Sequence, residues 1–315
     1  MKNVIFDLHL DIEVYLRFPK FLNMKYKNLS ILELKRHGDI PQFLKSGLKF
    51  AVVNIFPFEF INNKWVPINI TQFMERLERF LKWINRFKIF KIIYNKRDLK
   101  DVLQSKNIGL ILGTEGLNFL NNISDIYSLY KKGIRVFGLN WNEDTKFSAS
   151  LKNTTNKGLT KEGKQLIKIL EKLPIVLDLA HSSINTFRDI LKIYKKPVIF
   201  SHNGFKELID FEQNLDIKNL KLLKDIGGLI GLTCLPYSIN INGEINFINW
   251  LKTFRHLKNE FKNNLAIGTD FFGFKFNENY EGIKNYLEFS ESLRKFNVPS
   301  YVLFKNSFNL FSKLL

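Results

Sequence analysis

The runs Pro174-Ile-Val-Leu-Asp-Leu179 and Pro197-Val-Ile-Phe-Ser201 are apolar at nearly every position, rich in β-branched residues and bounded by proline. A strand with one solvated face alternates apolar and polar residues, whereas a strand covered on both faces does not. These two runs therefore predict strands of a parallel sheet covered by helices. Residues 4–8, 50–56, 108–112, 134–139, 229–234 and 265–268 have the same character. Amphipathic patterns lie between them. After Thr71, the residues Phe73, Leu77, Phe80, Leu81 and Ile84 recur at helical spacing and predict one buried face. Asp216 reads as an N-cap and Gly227 as the matching stop, Thr160 opens a helix through Leu166 and Leu170, and Ser183 or Asn185 opens the next. Residues 247–261 and 280–296 predict two more helices. Eight strands alternating with helices within 315 residues predict an α/β chain folded as a single (β/α)8 barrel over residues 1–315. A doubly wound open sheet is the alternative, but no Gly-rich phosphate loop follows any strand.

Composition narrows the functional classes. One cysteine, Cys234, excludes an internal disulfide framework and argues for a reducing compartment, so the expected address is the cytoplasm. No stretch reaches the roughly 20 unbroken apolar residues of a membrane span, and Val4-Ile5-Phe6 is too short for a secretory h-region. The net charge of +18 invites a nucleic-acid partner. However, 38 of the 48 basic residues are lysines scattered over helix faces, in a chain also heavy in Asn, Ile and Phe, as AT-rich coding produces. Neither a nucleic-acid nor a membrane partner is expected.

Chemistry gathers at the ends of the predicted strands. Asp7-Leu-His9-Leu-Asp11, Glu115 after Ile108-Gly-Leu-Ile-Leu-Gly-Thr, Asp178-Leu-Ala-His181, Phe200-Ser-His202 and Ile267-Gly-Thr-Asp270 all sit at or just past a C-terminal strand end. In a barrel those ends share one mouth. The period of two in Asp7, His9 and Asp11 points all three to one side. Imidazole and carboxylate together suit a borderline cation such as Zn²⁺. Glu115 has two oxygens with which to bridge two metals, His181 and His202 would complete the second, and Asp270 is placed to exchange a proton with metal-bound water. Two metals roughly 3.5–4 Å apart suit hydrolysis of an amide or ester. Each residue also has a bland reading. A His-x-Asp is common, a histidine after a strand is often structural, and Glu115 beside Gly116 could cap a helix. The agreement of five such events in type and position favours the metal site. His37 reads as a surface-loop residue, His256 as part of a solvated helix face, and Cys234 as a small core residue and not a nucleophile.

Read as an ordered series, these motifs resemble the membrane (renal) dipeptidase family of zinc hydrolases, which has many soluble bacterial members. The series is Asp7-Leu-His9-Leu-Asp11, Thr114-Glu115-Gly116, Gly133-Ile-Arg135-Val, Gly158-Leu-Thr160-x-x-Gly163, Asp178-Leu-Ala-His181-Ser, Pro197-Val-Ile-Phe-Ser-His202 and Ile267-Gly-Thr-Asp270-Phe-x-Gly273. The resemblance implies a (β/α)8 barrel and two Zn²⁺ per chain. His9 and Asp11 would hold one zinc, His181 and His202 the other, with Glu115 bridging and Asp270 transferring protons. It implies cleavage of small dipeptides, including those with a C-terminal D-residue, by a metal-bridging hydroxide, and homodimerisation as a family-level expectation.

Three positions depart from the family pattern. Trp141, in Asn140-Trp141-Asn142, stands where the dipeptidases usually place a substrate-contacting histidine, although several soluble bacterial members also carry Trp-Asn there. Gln213 stands where an arginine typically clamps the substrate carboxylate. Phe272 replaces a carboxylate common two residues after Asp270. Trp141, Asn142, Gln213 and Tyr237 are the expected substrate-facing residues, with Lys206 as a basic residue that would compensate for Gln213. The alternative reading is a dinuclear hydrolase of another small amide, N-acyl amine or lactone. A non-enzymatic barrel that binds nucleic acid through its lysines is the least supported.

Overall fold

The computed structural model describes residues 4–17, 40–242, 246–274 and 285–315. In chain order the strands are β1 (Ile5–Leu10), β2 (Leu48–Ile55), β3 (Phe58–Ile61), β4 (Lys64–Pro67), β5 (Phe90–Ile92), β6 (Ile108–Glu115), β7 (Ile134–Gly138), β8 (Val176–Asp178), β9 (Ile199–Asn203), β10 (Leu229–Leu232) and β11 (Leu265–Ile267). The chain forms two compact units, one of Met1–Ala51 with Phe200–Leu310, the other of Val52–Ile199 with Phe311–Leu315. The first carries the order β2-β1-β11-β10-β9, the second β8-β7-β6-β5. The chain passes from one unit to the other within β2 and within β9. The fold is the predicted (β/α)8 barrel, its eight parallel strands being β1, β2 and β6–β11.

Three strands lie outside the eight predicted runs. β3 and β4 form an antiparallel hairpin turned by Asn62 and Asn63, whose φ angles of 49° and 63° are those of a type I′ turn. The Asn-Asn pair is the local signal for it, since asparagine tolerates the left-handed region. The short β5 pairs with the start of β6.

Most helix boundaries follow the predicted caps. The Thr160 side chain accepts from Gly163 N at the start of Lys161–Lys172, Ser183 accepts from Thr186 N at the start of Ile184–Ile193, and Asp216 accepts from Asn219 N. Of the two candidates Ser183 and Asn185, Ser183 is the cap. Ile217–Asp225 ends in a Schellman arrangement, with Gly227 N donating to Lys224 O at 2.8 Å and Gly228 N to Leu223 O at 2.9 Å. Gly227 has φ 68°, so the predicted stop is met by the residue that tolerates that backbone. The helix expected after Thr71 begins earlier, at Ile70, because Asn69 and Gln72 form a reciprocal capping box. The helices predicted over 247–261 and 280–296 run over Phe247–Leu257 and Tyr286–Lys295. Residues 280–284 of the second prediction, and His37, lie outside the described residues. A π-helical stretch, Tyr301–Lys305, leads into the last helix, Asn306–Leu314, without an evident sequence signal.

Aromatic side chains fill much of the interior. Phe73 and Phe119 stack 3.8 Å apart in one unit, while Phe271, Tyr286 and Phe289 surround one another in the other. Each fully buried side chain of this size contributes about 1.5–3 kcal/mol. Within the first unit sits a buried polar clamp. The Asp7 carboxylate accepts hydrogen bonds from His9 N (3.1 Å), Thr269 N (3.0 Å), Thr269 Oγ1 (2.8 Å) and the Tyr286 hydroxyl (3.0 Å). Asp7 therefore braces β1 against the turn after β11, and burial pushes its carboxyl up from the ordinary value while these donors pull it back in part. Removing the carboxylate strands at least three buried donors at about 1–3 kcal/mol each. Asp7→Ala is expected to lower the urea-unfolding free energy by roughly 3 kcal/mol or more, and Tyr286→Phe by roughly 1–2 kcal/mol. A loss below 1 kcal/mol for Asp7→Ala would contradict the clamp.

Candidate metal centre

In the first unit, four predicted residues come together. His9, near the end of β1, is fully buried, and its Nε2 lies 3.4 Å from Asp11 Oδ2 and 3.6 Å from Asp270 Oδ1. Their ligand atoms fall within 4.8 Å of one another. His202, on β9, faces His9 with ring centroids 4.0 Å apart. Imidazole nitrogen and carboxylate oxygen, with no thiolate among them, form a donor set that fits a divalent borderline ion. Asp270 holds φ 62°, a conformation a non-glycine residue adopts at a cost of order 1–3 kcal/mol. Two backbone bonds fix it there, from Asp270 N to His9 O at 3.1 Å and from Gly273 N to Asp270 O at 3.2 Å. Gly273 is also a steric requirement, since a Cβ there would meet both the Asp11 and the Asp270 carboxylate oxygens.

In the second unit, Glu115 closes β6 and its Oε1 lies 2.9 Å from His181 Nε2. His181 also has φ 62°, held by a bond from Leu151 N to its carbonyl at 2.8 Å. Its Nδ1 lies 3.2 Å from Asn142 Oδ1. Asn142 was expected to face substrate; here it orients the His181 ring. With Nδ1–H donated to that amide oxygen, Nε2 is left as a lone-pair donor.

Trp141 precedes it on the same loop, which Asn140 pins by donating to Ser148 O and accepting from Ser148 Oγ. The half-buried indole sits in an aromatic box, 5.0 Å from Phe56 and from Phe58 and 5.9 Å from Trp65. Arg76 supports that box from Ile70–Ile84, donating to the carbonyls of Phe56 and Phe58 and pairing with Glu59. The Asn62-Asn63 pair marks the β3–β4 turn, but nothing local shows that the hairpin closes over Trp141, which is distant in sequence.

The remaining expectations divide. Gln213 is buried, and its side chain makes no hydrogen bond to the described residues. Tyr237 is 58% exposed on the short helix Pro236–Ile239, so it is not packed into the core. Lys206 pairs at the surface with Asp210 at 3.4 Å. Phe272 is buried against Phe43, at 6.0 Å between ring centroids, in the core. His256 is on an exposed helix face, as expected. Cys234 is buried just past β10, and burial, with Asp7 and Asp270, pushes its thiol well up, which rules against a thiolate nucleophile. Sequence reasoning missed Ser201, whose hydroxyl touches both His9 Nδ1 (3.2 Å) and His202 Nδ1 (2.9 Å).

Comparison with known proteins adds an independent line. The family model described as membrane dipeptidase (peptidase family M19) matches residues 1–307. An uncharacterised protein in the PQQ-III 3′ region of Acinetobacter calcoaceticus is 24% identical over 67% of this chain and 74% of its own. Dipeptidase 3 of Macaca fascicularis is 28% identical over 56% of this chain, and the match spans 36% of that protein. This chain thus spans about a third of the length of that dipeptidase. Among solved structures, a metallopeptidase of Rhodobacter sphaeroides liganded with a phosphinate mimic of the dipeptide L-Ala-D-Ala superposes with a TM-score of 0.82 at 19% identity, covering 99% of both chains. The dipeptidase PvdM of Pseudomonas aeruginosa, described as probable, superposes at 0.79 and 14% identity, over 99% of this chain and 96% of its own. At these identities the superpositions establish the shared fold.

Gly273→Ala is expected to lower zinc affinity and turnover together by at least tenfold while leaving thermal unfolding of the metal-free protein within a few degrees. Unchanged zinc affinity in a competition titration would show that the two carboxylates do not need the space.

Proposed function

Because this chain belongs to the membrane dipeptidase family of metallopeptidases (peptidase family M19), and is a hydrolase of that class, we propose that it cleaves the amide bond of small dipeptides, including those with a C-terminal D-residue, with two zinc ions. The observation that carries the reading is the cluster of His9, Asp11 and Asp270 ligand atoms within 4.8 Å of one another, on the elements where the family motifs fall. In this proposal His9 and Asp11 would hold one zinc, His181 and His202 the other, and Glu115 would be a ligand to both. When bound, the metals supply Lewis acidity toward the scissile carbonyl and acidify the attacking water. Asp270, fixed in its left-handed conformation, takes the proton from that water and returns it to the leaving amine. Asn142 keeps His181 oriented throughout. Trp141, rigid in its aromatic box, offers the substrate an apolar wall in place of an imidazole.

A second reading rests on Gln213. A neutral amide cannot make the bidentate charge-assisted pair that an arginine makes with a free carboxylate, a difference of about 1.5–3 kcal/mol. That favours a neutral small amide, an N-acyl amine or a lactone as substrate. A cytoplasmic site of action belongs to the proposal and rests on the lone, buried Cys234; among the described residues no helix is long and apolar enough to cross a membrane.

Purification without chelator, metal quantification and a panel of L-L and L-D dipeptides beside N-acetylated and C-amidated analogues separate these readings. Two zinc per chain with cleavage of free dipeptides is the expected result. Activity confined to capped or neutral substrates would transfer the function to the second reading, and protein inert after zinc addition would remove both. Asp270→Asn is expected to lower kcat by about 10²–10⁴. Gln213→Arg is expected to raise kcat/KM for free dipeptides roughly tenfold or more over capped ones.

A further inference from the structure

We propose that Ser201 is a shared positioning residue: its single hydroxyl accepts Nδ1–H from both His9 and His202, fixing both rings as the tautomer whose Nε2 is free for metal. The proposal rests on the reading of His9 and His202 as ligands. Its geometry lies wholly within the first unit. Ser201 Oγ is 3.2 Å from His9 Nδ1 and 2.9 Å from His202 Nδ1, and all three residues are at most 1% exposed.

A hydroxyl oxygen has two lone pairs and one hydrogen. If Ser201 donated to either ring, that ring's Nδ1 would carry the lone pair and its Nε2 the proton, and Nε2 could not then ligate. Only when the oxygen accepts twice are both Nε2 atoms available together. That is the arrangement consistent with His9 Nε2 being the nitrogen that faces Asp11 and Asp270. The two imidazoles are thus set by one atom, and losing it would disturb both at once.

The backbone is shaped to hold that atom in place. Gly231 on β10 and Gly268 just after β11 both press on the Ser201 carbonyl, and a Cβ on either would collide with its oxygen. Two glycines on neighbouring strands therefore let β9 approach closely enough to bring the hydroxyl between the rings. His181 solves the same problem separately, through Asn142. Across the three histidines, then, every Nδ1 meets a side-chain oxygen.

The chain has five histidines, which makes the tautomers directly observable by ¹⁵N-histidine NMR. In the metal-free wild type, His9 and His202 are expected as Nδ1–H tautomers. Finding either with its proton on Nε2 would overturn the proposal without any variant. Zinc affinity is then measured by competition with a chromophoric chelator for the wild type, Ser201→Ala and Ser201→Thr. Ser201→Ala is expected to weaken zinc binding by 10–100-fold, as loss of an orienting partner does, and to shift both rings toward the Nε2–H form. Ser201→Thr, which keeps the hydroxyl, is expected to recover most of the affinity. Zinc affinity unchanged within threefold in Ser201→Ala, or a change confined to one ring, would sink the shared role. If the wild type itself fails to bind zinc, the metal reading of His9 and His202 fails first, which is a distinguishable result.

Discussion

The buried carboxylate of Asp7 is the contact on which the candidate metal-binding cluster of the first unit depends. A charge in the interior is tolerated only where donors replace the water it gives up. Asp7 finds them in its own strand, in the Thr269 turn and in Tyr286. Because Thr269 immediately precedes Asp270, the same hydrogen bonds that satisfy Asp7 also set the start of the left-handed turn that aims Asp270 at His9. The cost of that backbone is localised next to the bonds that offset it. His181 repeats the pattern in the second unit, with the Leu151 amide holding the strained residue and Asn142 its ring. Strain at these two candidate site residues and over-determination around them occur together, as expected of a site whose geometry must not relax.

Much of this was legible in the sequence, and for a physical reason. Strands covered on both faces must be apolar throughout, so runs such as residues 174–179 declare themselves without long-range information. Caps are equally local: Thr160, Asp216 and Gly227 act on residues within a few positions of themselves. Donors at strand ends were visible because the fold class dictates where those ends go. What escaped was whatever depends on contacts distant in sequence. Asp7 shares the period-two spacing of His9 and Asp11, but its bracing partners Thr269 and Tyr286 lie more than 260 residues away. Ser201 carries no local signal of its own, and only the approach of β1 gives it a second histidine. Nothing local to Asn142 shows that His181, 39 residues on, stands beside it.

The departures from the family pattern resolve unequally. Phe272 belongs to the core, where it packs on Phe43, so it bears on folding and not on the electrostatics of the metal centre. Trp141 is enclosed by Phe56, Phe58 and Trp65, and Gln213 is buried. Under the proposed function, both departures would lower the positive charge available to a substrate carboxylate and leave the candidate metal donors unchanged. A barrel permits this separation because ligands sit on strand ends and substrate contacts on the loops beyond them.

Cys234 has a consequence of a different kind. It is the chain's only thiol, it is buried next to the turn carrying Thr269, and its environment opposes the thiolate. A reagent that needs a thiolate therefore cannot read it in the closed molecule. Its labelling rate becomes a clock for the opening of β10 away from β11, counting the excursions in which the innermost layer of the protein meets solvent.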